Sequence, residues 1–289
     1  MKWQIPAKTF LLGEYSAVAE ASAIIVTTTP YFELSLSESD SSIEKIHPES
    51  PAGILWYKEK PVEKYLSWND PYKGRGGLGA SSAQFLACYW AICHLNNKTP
   101  ELNSMLDAYY QSSWKGKGLR PSGYDVIAQS HQGCVYINKQ NNVINAFSWP
   151  FQDISFLILH TGIKLATHHH LMETTLPAPI DYMSNLVDNA KEAFEKKNSI
   201  QFINAINDYH HILFSLNLVA PHSQEIINSI REYPEVLAIK GCGALGADTL
   251  LIVTKQEDLL LMKKRLEARN YLILATENDI YKTNNENMD

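Results

Sequence analysis

The chain has 289 residues, 45% of them hydrophobic, enough for one large domain or two modest ones with a real core, which excludes wholesale disorder. Acidic residues outnumber basic ones, 31 to 25, and the net charge of −6 argues against a general nucleic-acid binder while leaving room for a local basic pocket. Cys88, Cys93, Cys134 and Cys242 form no CxxC pair and read as free thiols of a reducing cytoplasm. No apolar run reaches membrane-spanning length. Ala21-Ser22-Ala23 imitates a signal cleavage site, but Lys8, Glu14 and Glu20 interrupt the apolar region that a signal needs.

In chain order, residues 9–12 suit a strand with Lys8 beside its end, and Gly13-Glu14 suits a turn. Residues 24–36 are β-branched and aromatic, and Pro30 predicts either two strands or a bent edge strand. Residues 37–51 read as a polar loop and 54–57 (ILWY) as a short strand; 58–70 give no assignment. Then comes KGRGGLGASSA at 73–83, where Gly74, Gly76, Gly77 and Gly79 precede small residues and an apolar run at 85–95. Glycines let backbone N–H groups approach a ligand, and a helix N-terminus adds orphan donors and a positive dipole end. Together they make a phosphate site. Taken alone, the stretch reads equally as a glycine turn ahead of a core helix. It is neither a Walker A loop nor a clean GxGxxG after a strand.

The run at 80–95 predicts a buried helix, stopped by NNKTP at 96–100, and 102–114 predicts a second. Residues 115–125 (KGKGLRPSGYD) form a loop carrying Lys115, Lys117 and Arg120 and ending on Asp125. Residues 134–137 and 143–147 read as a hairpin around Asn141-Asn142, 154–160 as a buried strand, and 161–167 as a loop with Lys164. Helical patterns follow at 180–197, 199–216 and 222–232, then a strand at 236–239 and a second glycine-rich loop at 240–249 (KGCGALGADT). A strand at 250–253, a helix at 257–268 and a strand at 271–276 close the chain. This second half alternates strand and helix as in a ferredoxin-like α+β layer, and a soft boundary near Pro150 divides the chain into 1–150 and 151–289. His168-His169-His170 reads as a loop or helix start, since adjacent residues do not point one way and no acid or cysteine completes a zinc shell.

Three stretches now stand in order: PAKTFLLGEY at 6–15, GGLGASSA at 76–83 and KGCGALGADT at 240–249, with PSGYDV at 121–126 between the last two. This set resembles the GHMP kinases, the small-molecule kinases of galactose, homoserine, mevalonate and phosphomevalonate, and it spans nearly the whole chain. The stretches look like the family's P-x-K-x-x-x-x-G-E motif, its phosphate loop (usually GLGSSA) and its C-terminal glycine loop (usually GAGGGD or GAGGGG). Gly13-Glu14-Tyr15, Ser122–Val126 as SGYDV, and Asp248 within GALGAD are most similar to the phosphomevalonate kinases. Mevalonate kinases carry a magnesium-binding glutamate about eleven residues before the catalytic aspartate; Trp114 holds that place here. Ala80 departs from the first serine of GLGSS, and Leu245 and Ala247 replace glycines of the last loop.

The resemblance implies a two-lobed α+β fold, a ribosomal S5 domain 2-like lobe followed by a ferredoxin-like lobe. It implies ATP and Mg²⁺, with Gly76, Gly77, Leu78, Gly79, Ala80, Ser81 and Ser82 around the phosphates and Ser81 (or Ser82, if the loop has slipped by one) beside the metal. Asp125 becomes the general base or orienting carboxylate for the acceptor oxygen, and Lys8 the cation facing the γ-phosphate. The alternatives are a solvated lysine at 8 and a helix-capping aspartate at 125. Acceptor contacts fall to Lys117, Arg120, Ser122, Gly123, Lys164, Thr167, Gly243 and Ala244, and Lys115 joins a cation cluster for an acceptor that already carries a phosphate. The implied activity is phosphomevalonate kinase; the rivals are a mevalonate or other small-alcohol kinase, the related decarboxylase, and a silent ligand sensor on the same fold. No nucleic-acid or membrane partner is expected, and the sequence leaves the oligomeric state open.

Overall fold

Lys2–Leu12 forms a long strand, β1, whose residues from Ile5 onward are buried. In this computed structural model, residues 1–38, 46–59, 64–163 and 179–281 are described. Strand β1 pairs antiparallel with β2 (Ala23–Ser37), and β2 then pairs with β3 (Tyr65–Asn69) at one end and β4 (Cys134–Asn138) at the other; β5 (Val143–Phe147) follows β4. Two expectations change here. Lys8 lies in the middle of a strand, not beside its end, and 24–36 is one central strand rather than two strands or an edge. The β1–β2 ladder skips from Ile5↔Phe32 to Ala7↔Thr28. Pro6 therefore faces the stretch containing Pro30, so the two residues without an N–H fall where the ladder has no bond to lose.

Residues 54–57 are also helical, within α1 (Pro51–Glu59). A four-residue apolar run does not by itself distinguish strand from helix. The segment before it decides: Ser50 Oγ accepts the Gly53 N–H at 3.1 Å and Pro51 opens the first turn. Helices α2 (Ala80–Leu95), α3 (Leu102–Ser113) and α4 (Tyr124–Gln129) complete this half around a core that includes Phe32, Phe85, Leu86 and Tyr124.

The second half holds β6 (Ile154–His160), helices α5 (Ile180–Lys196), α6 (Ser199–Ser215) and α7 (Pro221–Arg231), strands β7 (Val236–Cys242) and β8 (Thr249–Lys255), helix α8 (Leu259–Ala268) and β9 (Leu272–Thr276). Its antiparallel sheet has the order β7-β8-β6-β9, the arrangement of a ferredoxin-like layer. Residues 240–242 belong to β7, so the second glycine loop shrinks to 243–248. A core of Leu11, Leu12, Ile24 and Val26 with Phe156, Met183, Phe202 and Tyr209 joins the sheet of the first half to α5 and α6. No helix among the described residues is long and apolar enough to cross a membrane.

Candidate functional site

Lys8 is only 7% exposed, and its Nζ lies 2.9 Å from Asp125 Oδ1. The aspartate stands in the first turn of α4, entered through Gly123 at φ +76°. A Cβ on Gly123 would meet Leu106 and the Tyr110 hydroxyl at 2.8 and 2.9 Å, so close packing on α3 demands glycine there. The Lys8 ammonium also sits 4.9 Å from the centre of the Phe10 ring. A half-exposed carboxylate on a buried ammonium is a positioned charge pair with one side open to solvent, and not a surface bridge.

The glycine-rich stretch lies directly on this pair. Lys8 N–H donates to Leu78 O at 3.0 Å, and Gly79, at φ +76°, begins α2. A Cβ at Gly79 would fall 2.7 Å from Lys8 Cγ and 2.9 Å from its Cε. Gly79→Ala is therefore expected to displace the Lys8 stem, costing about 1–3 kcal/mol in stability and lowering turnover. Gly74→Ala is the control: it shares φ +76° but meets nothing within 4 Å, so only the left-handed cost of about 1–2 kcal/mol remains. Denaturant unfolding and kcat on both variants check this.

The two serines of the loop separate cleanly. Ser82 is buried and its hydroxyl donates to Gln129 Oε1 at 2.7 Å and Gly79 O at 3.0 Å. Ser81 is exposed at the mouth of the helix with no side-chain partner among the described residues.

The second glycine loop closes the site from the other half. A Cβ on Gly76 would meet the Asp248 carboxylate at 2.7 Å, and one on Gly77 would meet Thr249 Cγ2 at 2.9 Å. The Thr249 hydroxyl beneath Gly77 is buried without a hydrogen-bond partner among the described residues. Beside it, burial and Arg75 hold the His160 imidazole below its ordinary value, against the opposing pull of Asp248. At the far end of the loop Leu245 N–H donates to Tyr15 Oη at 3.1 Å, and the buried ammonium of Lys240 is hydrogen-bonded to the buried Glu14 carboxylate. Burial pushes the Glu14 carboxyl up, and Lys240 pulls it back. Gly243 and Ala244 are half-exposed at the start of this loop.

The expected cation cluster is placed differently. Arg120 donates to Glu20 Oε1 at 2.6 Å and stacks 4.4 Å over Tyr110, and Lys139 shares the same carboxylate oxygen at 2.6 Å. This holds the Glu20 carboxyl below its usual range. Lys115 and Lys117 are exposed, and Ser122 is half-buried, its carbonyl accepting the Tyr110 hydroxyl at 2.9 Å. Lys164, Thr167 and residues 168–170 lie outside the described residues. A cavity of about 720 Å³ between α1, α2 and α3 lies at the C-terminal end of α2 and shares no residue with either glycine loop.

Sequence reading missed Gln129, Lys240 and Glu20. Gln129 carried one signal: it stands four residues after Asp125 in a helical stretch, hence on the same face. The pairing of Lys240 with Glu14 spans 226 residues and has no local signature.

No family model matches the chain. The mevalonate kinase of Saccharolobus solfataricus is 21% identical over 299 residues, covering 89% of this chain and 91% of that protein. Among solved structures, the Streptococcus pneumoniae phosphomevalonate kinase in complex with phosphomevalonate and AMPPNP superposes with a TM-score of 0.77 at 14% identity, covering 96% of this chain and 99% of that one. The Methanococcus jannaschii mevalonate kinase superposes with a TM-score of 0.74 at 17% identity, covering 98% of each chain. The chain has the two-lobed fold of the GHMP kinases.

Proposed function

We propose that this chain is an ATP-dependent kinase of small hydroxy acids, with 5-phosphomevalonate as its acceptor. The observation that carries the reading is the Lys8–Asp125 pair, 2.9 Å apart and packed against the glycine loop that opens α2. Phosphoryl transfer asks for positioning and charge stabilisation more than covalent chemistry. The loop's backbone N–H groups and the α2 N-terminus would cradle the ATP phosphates. Asp125 would orient the attacking oxygen of the acceptor's phosphate, and take its proton where it carries one, as that oxygen bonds to the γ-phosphorus and the bond to ADP breaks. Lys8 would face the charge that develops on the transferred group.

The donor set fits magnesium of the nucleotide-bound kind. Among the described residues no cluster of three or more acids, histidines or cysteines builds a metal cage. Magnesium prefers few protein ligands plus phosphate oxygens and water, and the exposed Ser81 hydroxyl and the open side of Asp125 could supply them. Bound there, the ion would neutralise charge on the phosphates.

Support for a phosphorylated acceptor comes from the exposed Lys115 and Lys117, which stand in the loop leading to Asp125, and from Trp114 where mevalonate kinases carry an acid. Mevalonate itself is the second reading. The Glu20 carboxylate already engages Arg120, which removes one expected phosphate ligand, and the curated relative is a mevalonate kinase. A silent ligand sensor is disfavoured by the intact Lys8, Ser81 and Asp125.

Coupled ADP release with ATP, Mg²⁺ and each acceptor separately tests the reading. Release with 5-phosphomevalonate but not mevalonate is expected. Release with mevalonate alone would shift the acceptor, and nucleotide binding without release on either would favour the sensor.

A further inference from the structure

Among the described residues the Gln129 side chain makes no hydrogen bond to Lys8 or Asp125, yet both of its amide N–H groups and its oxygen are engaged. It is 1% exposed at the end of α4. Its Nε2 donates to Pro6 O at 2.9 Å and to Gly79 O at 3.1 Å, and its Oε1 accepts the Ser82 hydroxyl at 2.7 Å. One side chain therefore ties together the strand bearing Lys8, the residue that opens α2, and the helix bearing Asp125.

The Gly79 carbonyl is the focus. It accepts from Ala83 N–H at 2.9 Å, from Ser82 Oγ at 3.0 Å and from Gln129 Nε2. A trans peptide unit is planar, so fixing this carbonyl also fixes the Ala80 N–H, which points the opposite way, out of the helix N-terminus. That N–H is one of the orphan donors that make a helix start an anion site. Pro6 stands two residues before Lys8, where the β1–β2 ladder skips, so its carbonyl takes a side-chain donor in the irregular stretch. The Gln129 amide thus sets the separation between the Lys8 stem and Gly79, the loop residue that packs against it.

We infer that Gln129 is a positioning residue for phosphoryl transfer: it holds the Lys8–Asp125 pair in register with the backbone donors of the glycine loop. The inference rests on the kinase reading above. Misplacing a reacting group by about 1 Å can cost on the order of 10²-fold in rate. Losing the Gln129 bonds should therefore appear in kcat more than in acceptor KM.

Gln129→Met is the first variant, because it conserves volume and leaves Ser82 bonded to Gly79 O. Gln129→Glu is the second; it can still accept from Ser82 but turns a carboxylate toward the Pro6 and Gly79 carbonyls. With rates normalised to nucleotide-binding protein, kcat should fall roughly 10- to 100-fold in Gln129→Met and further in Gln129→Glu, with acceptor KM within about 2-fold of the unsubstituted protein. A lowered Tm with unchanged normalised kcat would mean a purely structural residue and overturn the inference. Equal losses through KM alone would also overturn it. If the unsubstituted protein binds nucleotide but turns over no acceptor, the kinase reading fails and this inference with it; turnover by that protein with full activity in both variants overturns the inference alone.

Discussion

Asp125→Asn is expected to lower kcat by on the order of 10²-fold or more while nucleotide affinity stays nearly unchanged. The amide keeps the shape of the side chain and can still accept from the Lys8 ammonium, which lies 2.9 Å from Oδ1 in the native pair. What it loses is the capacity to take a proton and the negative charge that holds Lys8 in place. Asp125 is part-exposed and α4 is entered through Gly123 and Ser122, whose Oγ accepts the Tyr124 N–H at 3.2 Å. The start of α4 therefore does not depend on the carboxylate, and the stability cost, that of leaving the buried Lys8 ammonium on a neutral acceptor, should be smaller than that of Lys240→Met. Steady-state kinetics with both substrates, together with equilibrium nucleotide binding, reads the result. An unchanged kcat would remove Asp125 from the chemistry.

Lys240→Met should produce the largest stability loss, about 3–5 kcal/mol. Lys240 is fully buried in β7, hydrogen-bonded to Glu14, and its ammonium lies 5.9 Å from the Tyr209 ring. Removing the ammonium strands the Glu14 carboxylate, whose other oxygen has no hydrogen-bond partner among the described residues. The carboxyl would then have to protonate or drag in water. Replacing both members by apolar residues, as in Glu14→Leu with Lys240→Met, should recover most of that loss, because a buried pair is worth little against well-packed hydrophobes. Denaturant midpoints of the two single variants and the double variant decide it. Full additivity would show that the two side chains do not act as a pair. Glu14 also holds the strand that leads into the second glycine loop through Lys240, and the neighbouring Tyr15 holds the loop itself through Leu245. The double variant is accordingly expected to fold better than either single one and still turn over more slowly than the native protein.

Much of the architecture was legible because its signals are local. The apolar run of α2 is bracketed by Gly79 and by Asn96, and the strands at Cys134–Asn138, Val143–Phe147 and Ile154–His160 stand between clear turn signals. Two of the three failures were decided by something distant, and the third by neighbours outside the run. Pro30 looked like an edge signal, yet the skipped ladder opposite Pro6 lets a central strand carry it. The run at 54–57 has neither helical nor strand period in four residues, and Ser50 with Pro51 settles it. Lys240 looked like part of the second glycine-rich loop, since lysine is rarely buried unless paired, and its pair lies near the N-terminus.

The site was half legible in the same sense. Motif order alone brought forward Lys8, Asp125 and the glycine loop, and the fold packs them together. It could not say that Ser82 faces inward while Ser81 faces out, because that depends on the Gln129 amide. Nor could it say that Arg120 shares Glu20 with Lys139, a contact across 100 residues.

Phosphorus NMR of a mixture of the protein, ATP, Mg²⁺ and 5-phosphomevalonate tests the central claim most directly, since it reads the bond formed as well as the nucleotide consumed. The account predicts that the γ-phosphate signal of ATP declines as ADP and a new pair of coupled diphosphate-ester signals grow in equal amount. Loss of the γ-phosphate to inorganic phosphate alone, or no loss with this or any other hydroxy acid, would contradict it.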